Sequence, residues 1–156
     1  MPQTNPPYET ADRSRLSKLR EAMKEHGLQA VIIEPGPAML DLTGVRWGRS
    51  ERTFALVVPT EGIIGFVVPG FEEMRARELI PPGAAIRVWQ EDESPFQRVV
   101  DLLRNGRIAS GRVGIDPSVR FFVFDGVRKL APQFDYVSAQ PVLKAAGIDT
   151  SIPARR

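Results

Sequence analysis

The segment from Thr53 to Phe71, TFALVVPTEGIIGFVVPGF, constrains the fold more than any other. Two apolar runs, Thr53 to Val58 and Ile63 to Val68, flank the turn residues Pro59-Thr60-Glu61-Gly62. Both runs are rich in β-branched and aromatic side chains, so the segment predicts a β-hairpin. Each run ends in Val-Val-Pro, and proline has no N–H for the next rung of the ladder, so both strands should stop there. Neither run alternates. Strands that are apolar on both faces sit in the middle of a covered sheet, and Val57, Phe66 and Val67 are therefore expected in the core.

The flanking sequence supplies the covering layers. Leu16, Leu19 and Met23 share one helical stripe in a helix that Asp12 can cap and that runs to about Glu25. His26-Gly27 ends it, with Gly27 as a left-handed cap. Ala30 to Glu34 predicts a buried strand, and Pro35 to Gly44 a turn and short helix. After the hairpin, Gly70 to Ile80 predicts a helix, with Phe71, Met74, Glu78 and Leu79 marking its two sides. Ala85 to Gln90 predicts a strand with one wet face. Ser94-Pro95 opens a helix with proline at its favoured first position, and Phe96, Val99, Val100, Leu102 and Leu103 form its apolar face. Arg112 to Asp116 is a short strand. Ser118 is expected to cap a helix reaching Leu130, with Phe121, Phe122, Phe124 and Val127 inside. Phe134 to Ser138 is the last strand, and Pro141 to Ala146 the start of a last helix. The order predicts a three-layer α/β domain over residues 13–146 with a mixed sheet, because the hairpin must be antiparallel. Residues 1–12 are expected to form a disordered lead-in and residues 147–156 a tail.

The composition excludes several chemistries. There is no cysteine, hence no disulfide, thiolate nucleophile or zinc–thiolate site. His26 is the only histidine and reads as a helix-end residue near the negative pole. No serine stands in a nucleophile-elbow context, and no glycine cluster resembles a phosphate loop. The pI near 9.3 reflects seventeen arginines and four lysines against 19 carboxylates. They are spread along the chain, whereas a nucleic-acid footprint is clustered. No apolar run approaches the ~20 residues of a membrane span, and the first residues lack a signal-peptide pattern. The expected location is cytoplasmic, with neither nucleic acid nor membrane as partner.

Two polar features remain. Carboxylates stand at strand ends: Glu34, the Glu91-Asp92-Glu93 cluster and Asp116. They could gather around metal ions, as in ribonuclease H-type nucleases. Alternatively they are solvated acids where strands reach the surface. The loop Arg46-Trp47-Gly48-Arg49-Ser50-Glu51-Arg52 combines arginine forks, which bind carboxylates, with a tryptophan. Trp47 either contacts a partner or folds back on the domain edge.

Several stretches together resemble a known family. Arg15-Leu-x-x-Leu-Arg20, Gly27-Leu28-x-Ala-Val-Ile-Ile33, Leu42-Thr-Gly44, Phe54-Ala-Leu-Val-Val-Pro59 and Val67-Val-Pro69 occur in the order of the amino-terminal domain of the creatinase, prolidase and aminopeptidase P family. Arg52-Thr53-Phe54-Ala55 is similar to that family's Arg-Pro-Phe-Ala, and Val88-Trp89 and Arg112 to Asp116 match its later strands. The resemblance implies a ribonuclease H-like fold without that fold's catalytic acids. It implies that catalysis, by two divalent metal ions in the peptidases and without metal in creatinase, belongs to a second domain missing here. Lys144 resembles a linker lysine leading to that domain. No catalytic residue and no cofactor are assigned to this chain, which is expected to be inactive alone. By position in the family, Arg46, Trp47 and Arg49 are the candidates for contact with substrate or a neighbouring subunit. The expected partner is a second copy, as a homodimer, or a catalytic chain. The alternative is a stand-alone ligand- or protein-binding module that reuses the fold.

Overall fold

The computed structural model describes residues 13–151. The expected lead-in with its Asp12 cap and the last residues of the expected tail lie outside them. Helix α1 (Arg13–His26) is followed by β1 (Leu28–Ile33), α2 (Pro37–Thr43), β2 (Ala55–Pro59) and β3 (Gly65–Pro69). A 3₁₀ turn (Gly70–Glu72) leads into α3 (Glu73–Leu79), β4 (Ala85–Trp89), α4 (Pro95–Asn105), β5 (Gly111–Ile115), α5 (Phe121–Leu130), β6 (Phe134–Ser138) and α6 (Gln140–Ala145).

The six strands form one sheet in the order β4-β3-β2-β1-β5-β6. The hairpin strands β2 and β3 pair antiparallel, Leu56 opposite Phe66, and both lie inside the sheet. Strand β2 also runs antiparallel to β1, whereas β1–β5, β5–β6 and β3–β4 are parallel. Five strands thus point one way and β2 alone points back. Alternate residues feed two cores. Val31, Ile33, Leu56, Val58, Phe66 and Val68 meet Leu16, Leu19 and Met23 of α1, Met39 of α2 and Leu143 of α6. Ala30, Ile32, Ala55, Val57 and Val67 meet Val99, Val100 and Leu103 of α4 and Val127 of α5. This is the three-layer mixed α/β architecture the sequence predicts.

The local signals explain the ends of the helices. Gly27 takes a left-handed φ of 69° after α1, as does Gly44 (79°) after α2, a conformation that costs a residue with a Cβ. Ser94 Oγ accepts from the Gln97 N–H and caps α4. The helices lie close to sheet and neighbour where glycine permits it. A Cβ on Gly65 would lie 2.5 Å from Leu102, and one on Gly126 would lie 2.4 Å from the Phe96 ring.

The structure departs from the expectations at the start of α5 and after β3. Helix α5 starts at Phe121, and Ser118 does not cap it but bonds to Asp116. Phe121 and Phe122 are 71% and 43% exposed, and the core is reached instead by Val123 and Val127. The segment after β3 begins as a 3₁₀ turn rather than as α-helix; Phe71 and Met74 are 82% and 84% exposed, and Ala76 and Ile80 take the buried positions. Beyond α6, Ile148 folds back into the first core, and the Asp149 N–H reaches Asp41 Oδ2 at 2.9 Å.

Candidate functional site: the carboxyl-terminal edge of the sheet

Because five strands run parallel, their carboxyl ends gather on one edge, together with the start of β2. From β1 the chain passes into α2 on one face of the sheet; from β5 it passes into α5 on the other. The crevice between β1 and β5 is therefore the point at which connections diverge, where open α/β sheets place their ligands.

In this protein arginine side chains fill that crevice. Glu34, one residue past β1, is completely buried, and Asp116, one residue past β5, is 1% exposed. They are not solvated acids. Arg120 grips Glu34 with Nη2 at 2.6 Å and Nε at 3.1 Å, and its backbone N–H donates to Glu34 Oε1 at 2.8 Å. Arg49 approaches Glu34 at 3.8 Å from the opposite loop. It also donates to Pro35 O (2.6 Å), Ser118 O (2.5 Å) and Ser118 Oγ (2.8 Å). Asp116 accepts from the Ser118 hydroxyl at 2.8 Å and from its N–H at 3.2 Å. Two guanidinium groups thus face two carboxylates, and among the described residues no buried side-chain nitrogen or oxygen lacks a partner. Complete satisfaction makes such a cluster rigid rather than costly.

The electrostatics follow from burial. Desolvation pushes the Asp116 carboxyl above its ordinary value, against the Ser118 bonds and Arg49, and nearby Glu34 adds to the rise. Desolvation likewise lowers Arg49, opposed chiefly by Glu34. Among the described residues, no three His, Asp or Glu side chains come together in a way that could hold a metal ion. The cluster works as a latch between the ends of β1 and β5 and the loop preceding β2.

That loop carries the three candidate residues, and the latch separates them. Arg49 is inside it. Arg46 is exposed. Trp47 folds back to 9% exposure, its ring stacked on Phe54 with centroids 4.5 Å apart. Its outer face is covered by the Arg75 guanidinium at 4.8 Å. Arg52 lies over Phe71 at 5.2 Å and bonds Glu91 at 2.8 Å, and Arg120 lies over Phe122 at 4.8 Å. Every cation–π contact among the described residues is on this edge. Beside them Phe71 and Met74 stand in solvent. Sequence reasoning missed Arg120 and Ser118 as members of the site. Asp116-Pro-Ser118 held a usable signal, since an aspartate that bonds the N–H two residues on is a recognised turn. Arg120 had none, its partner Glu34 lying 86 residues away.

Fold and edge together define an α/β domain with an arginine-latched strand edge. The model of the creatinase/prolidase N-terminal domain matches residues 15–146, and the chain belongs to that family. An uncharacterized peptidase of Schizosaccharomyces pombe is 33% identical over 129 residues, which cover 74% of this chain and 28% of the yeast protein. A dipeptidase from Pyrococcus horikoshii has a similar structure, with a TM-score of 0.71 at 27% identity, over 83% of this chain and 35% of that one. The N-terminal domain of an X-Pro dipeptidase from Streptococcus pyogenes, with a TM-score of 0.66 at 20% identity, shares the fold over 80% of this chain and 99% of its own. The chain therefore spans about a third of the length of the full-length relatives it matches.

Proposed function

We propose that this chain is the non-catalytic amino-terminal domain of an Xaa-Pro dipeptidase-like protein. It acts in oligomerisation and in shaping the active site of a partner subunit. Metal-dependent cleavage would belong to the domain that the longer relatives have in addition.

One observation carries the reading: the aromatic and arginine side chains concentrated on the carboxyl-terminal edge, with Phe71 and Met74 left 82% and 84% exposed among them. Tryptophan, phenylalanine, methionine and arginine are the residues that interfaces concentrate. Large apolar side chains left together in water mark a surface meant to be covered. The latch ties the Trp47 loop to the ends of β1 and β5, which limits the conformational freedom that loop would lose on association. Arg46, exposed in the Trp47 loop, supports the reading as a side chain available to a neighbour.

The test is a mixing experiment with a catalytic chain of the family. Xaa-Pro cleavage and complex formation are measured with wild type and with the Phe71→Ser/Met74→Ser variant. Both substituted residues are largely solvent-exposed, so the variant is expected to keep the fold, checked by its unfolding midpoint. Loss of association and of any gain in cleavage supports the reading. A variant that associates and supports cleavage like wild type removes it. Trp47→Ala is a poor probe, because its burial confounds binding with folding.

A further inference from the structure

The sheet has two open edges, β4 and β6, and they are treated differently. On β4 the Ile86 carbonyl accepts from Arg87 Nη1 (3.3 Å) and the Val88 carbonyl from Arg98 Nε (3.1 Å). Guanidinium groups on an edge strand block addition of another strand. No side chain among the described residues bonds the β6 backbone in this way; the bond from the Gln140 N–H to Ser138 Oγ lies beyond its end.

Beside β6 lies a cavity of about 380 Å³, walled chiefly by Ile115, Val119, Phe121, Phe124 and Tyr136, with Asp116 of the latch as the one charged residue of its lining. All five are partly or largely exposed although apolar or aromatic. The volume has room for a large side chain and is too small for a folded element. Tyr136 belongs to both features: its backbone is in the edge strand, and its ring packs edge-on to Phe124 with centroids 5.6 Å apart. Its phenol is fixed by a 2.6 Å bond to Ala131 O and, through burial, is pushed up to about 12, so this wall stays neutral.

The surrounding charge selects among occupants. Asp125 is shared by Arg128 and by Lys129 at 3.0 Å, leaving one net positive charge, and Arg128 lies close enough to Tyr136 to act on its phenol. Arg112 and Asp135 offset each other at 3.8 Å. Asp116 faces the Arg49 charge within the latch, so the charge left unbalanced beside the cavity is the positive one of Arg128 and Lys129. A five-residue edge, about 17 Å long, is too short by itself to bury the ~1,200 Å² of a stable dimer.

The geometry points to β6 and its cavity as a docking site for an extended acidic peptide segment, which adds as a strand to β6 and inserts one aromatic or large aliphatic side chain between Val119, Phe121, Phe124 and Tyr136. In strand addition, main-chain bonds supply affinity and a pocket at alternate positions supplies selectivity. The cavity adjoins the latch at the carboxyl ends of β5 and β6, but Phe71 and Met74 are not part of it, and the proposal does not depend on pairing with a catalytic chain.

The probe is the capped peptide Glu-Val-Thr-Phe-Thr-Val-Glu, titrated into the full chain and followed by backbone amide resonances and hydrogen exchange. Binding should slow exchange within Phe134–Ser138 and shift the Val119, Phe121 and Phe124 signals. The same peptide with lysines for glutamates should bind at least about fivefold more weakly at low salt, and one with prolines for threonines should not bind. Phe121→Ser, at an exposed position, should weaken binding about tenfold, and Val119→Trp, which fills the cavity, should do the same. No perturbation of β6 at millimolar peptide overturns the proposal. So does equal binding of the proline peptide, which would leave only a cavity contact. Concentration-dependent β6 shifts without peptide would make a second copy the occupant, and would also overturn it.

Discussion

Glu34 is the residue whose replacement tests the latch most severely. Its carboxylate has no exposure and receives the Arg120 fork, the Arg120 N–H and the Arg49 charge. In Glu34→Leu the Arg120 N–H loses its acceptor and two guanidinium groups face each other with only Asp116 to offset them. Breaking a buried, hydrogen-bonded pair from one side costs about 3–5 kcal/mol. With a urea m-value of about 2 kcal/mol/M, a loss of ~3 kcal/mol lowers the unfolding midpoint by about 1.5 M. Arg120→Met should cost less, because Arg49 remains to offset Glu34. The double variant Glu34→Leu/Arg120→Met should then lie well above the sum of the singles, with a coupling energy of about 1.5–3 kcal/mol. Recovery stays incomplete, since the Arg120 N–H remains without its acceptor. A Glu34→Leu cost under about 1 kcal/mol, or singles that add within ~0.5 kcal/mol, would refute the description of the cluster as a buried, coupled latch.

Asp116 gives a pH signature. Its folded value is raised by burial, so the native state binds this proton more tightly than the unfolded chain does. Its contribution is therefore fully favourable at low pH and is lost as pH rises from the ordinary carboxylate value through the raised one. The stability of Asp116→Asn relative to wild type should accordingly climb with pH across that window in urea titrations; a flat difference would contradict the burial. Trp47→Ala removes a ring that is 9% exposed and stacked on Phe54, and should cost about 3–5 kcal/mol in thermal or chemical unfolding. Gly65→Ala would press a methyl to 2.5 Å from Leu102 and should cost about 1–3 kcal/mol. Gly48→Ala, with nothing within 4 Å, should stay within about 0.5 kcal/mol of wild type.

The strands were legible because their composition repeats the physics of burial: runs such as Ala55 to Pro59 are buried throughout and carry nothing polar to place outside. The hairpin's place inside the sheet followed from the same fact. Phe71 and Met74 were not legible as exposed. An apolar residue at a helix start predicts burial unless the turn before it is known, and here that turn is 3₁₀. The candidate site was legible in its parts only. Glu34 and Asp116 were visible as acids before proline, yet nothing local distinguishes a solvated acid from one gripped by arginines from distant segments. Trp47 left two readings open in the sequence, and Phe54, seven residues on, provides the stacking surface that folds it back.

The central claim, that the carboxyl-terminal edge is an association face, is tested most directly by light scattering. Wild type and Phe71→Ser/Met74→Ser are each measured alone and mixed with a catalytic chain of the family. The account predicts that wild type exceeds the 17.3 kDa of one chain in at least one of the two samples, and that the variant stays at that mass in both. Wild type remaining at 17.3 kDa throughout, or a variant that associates equally well, would contradict it.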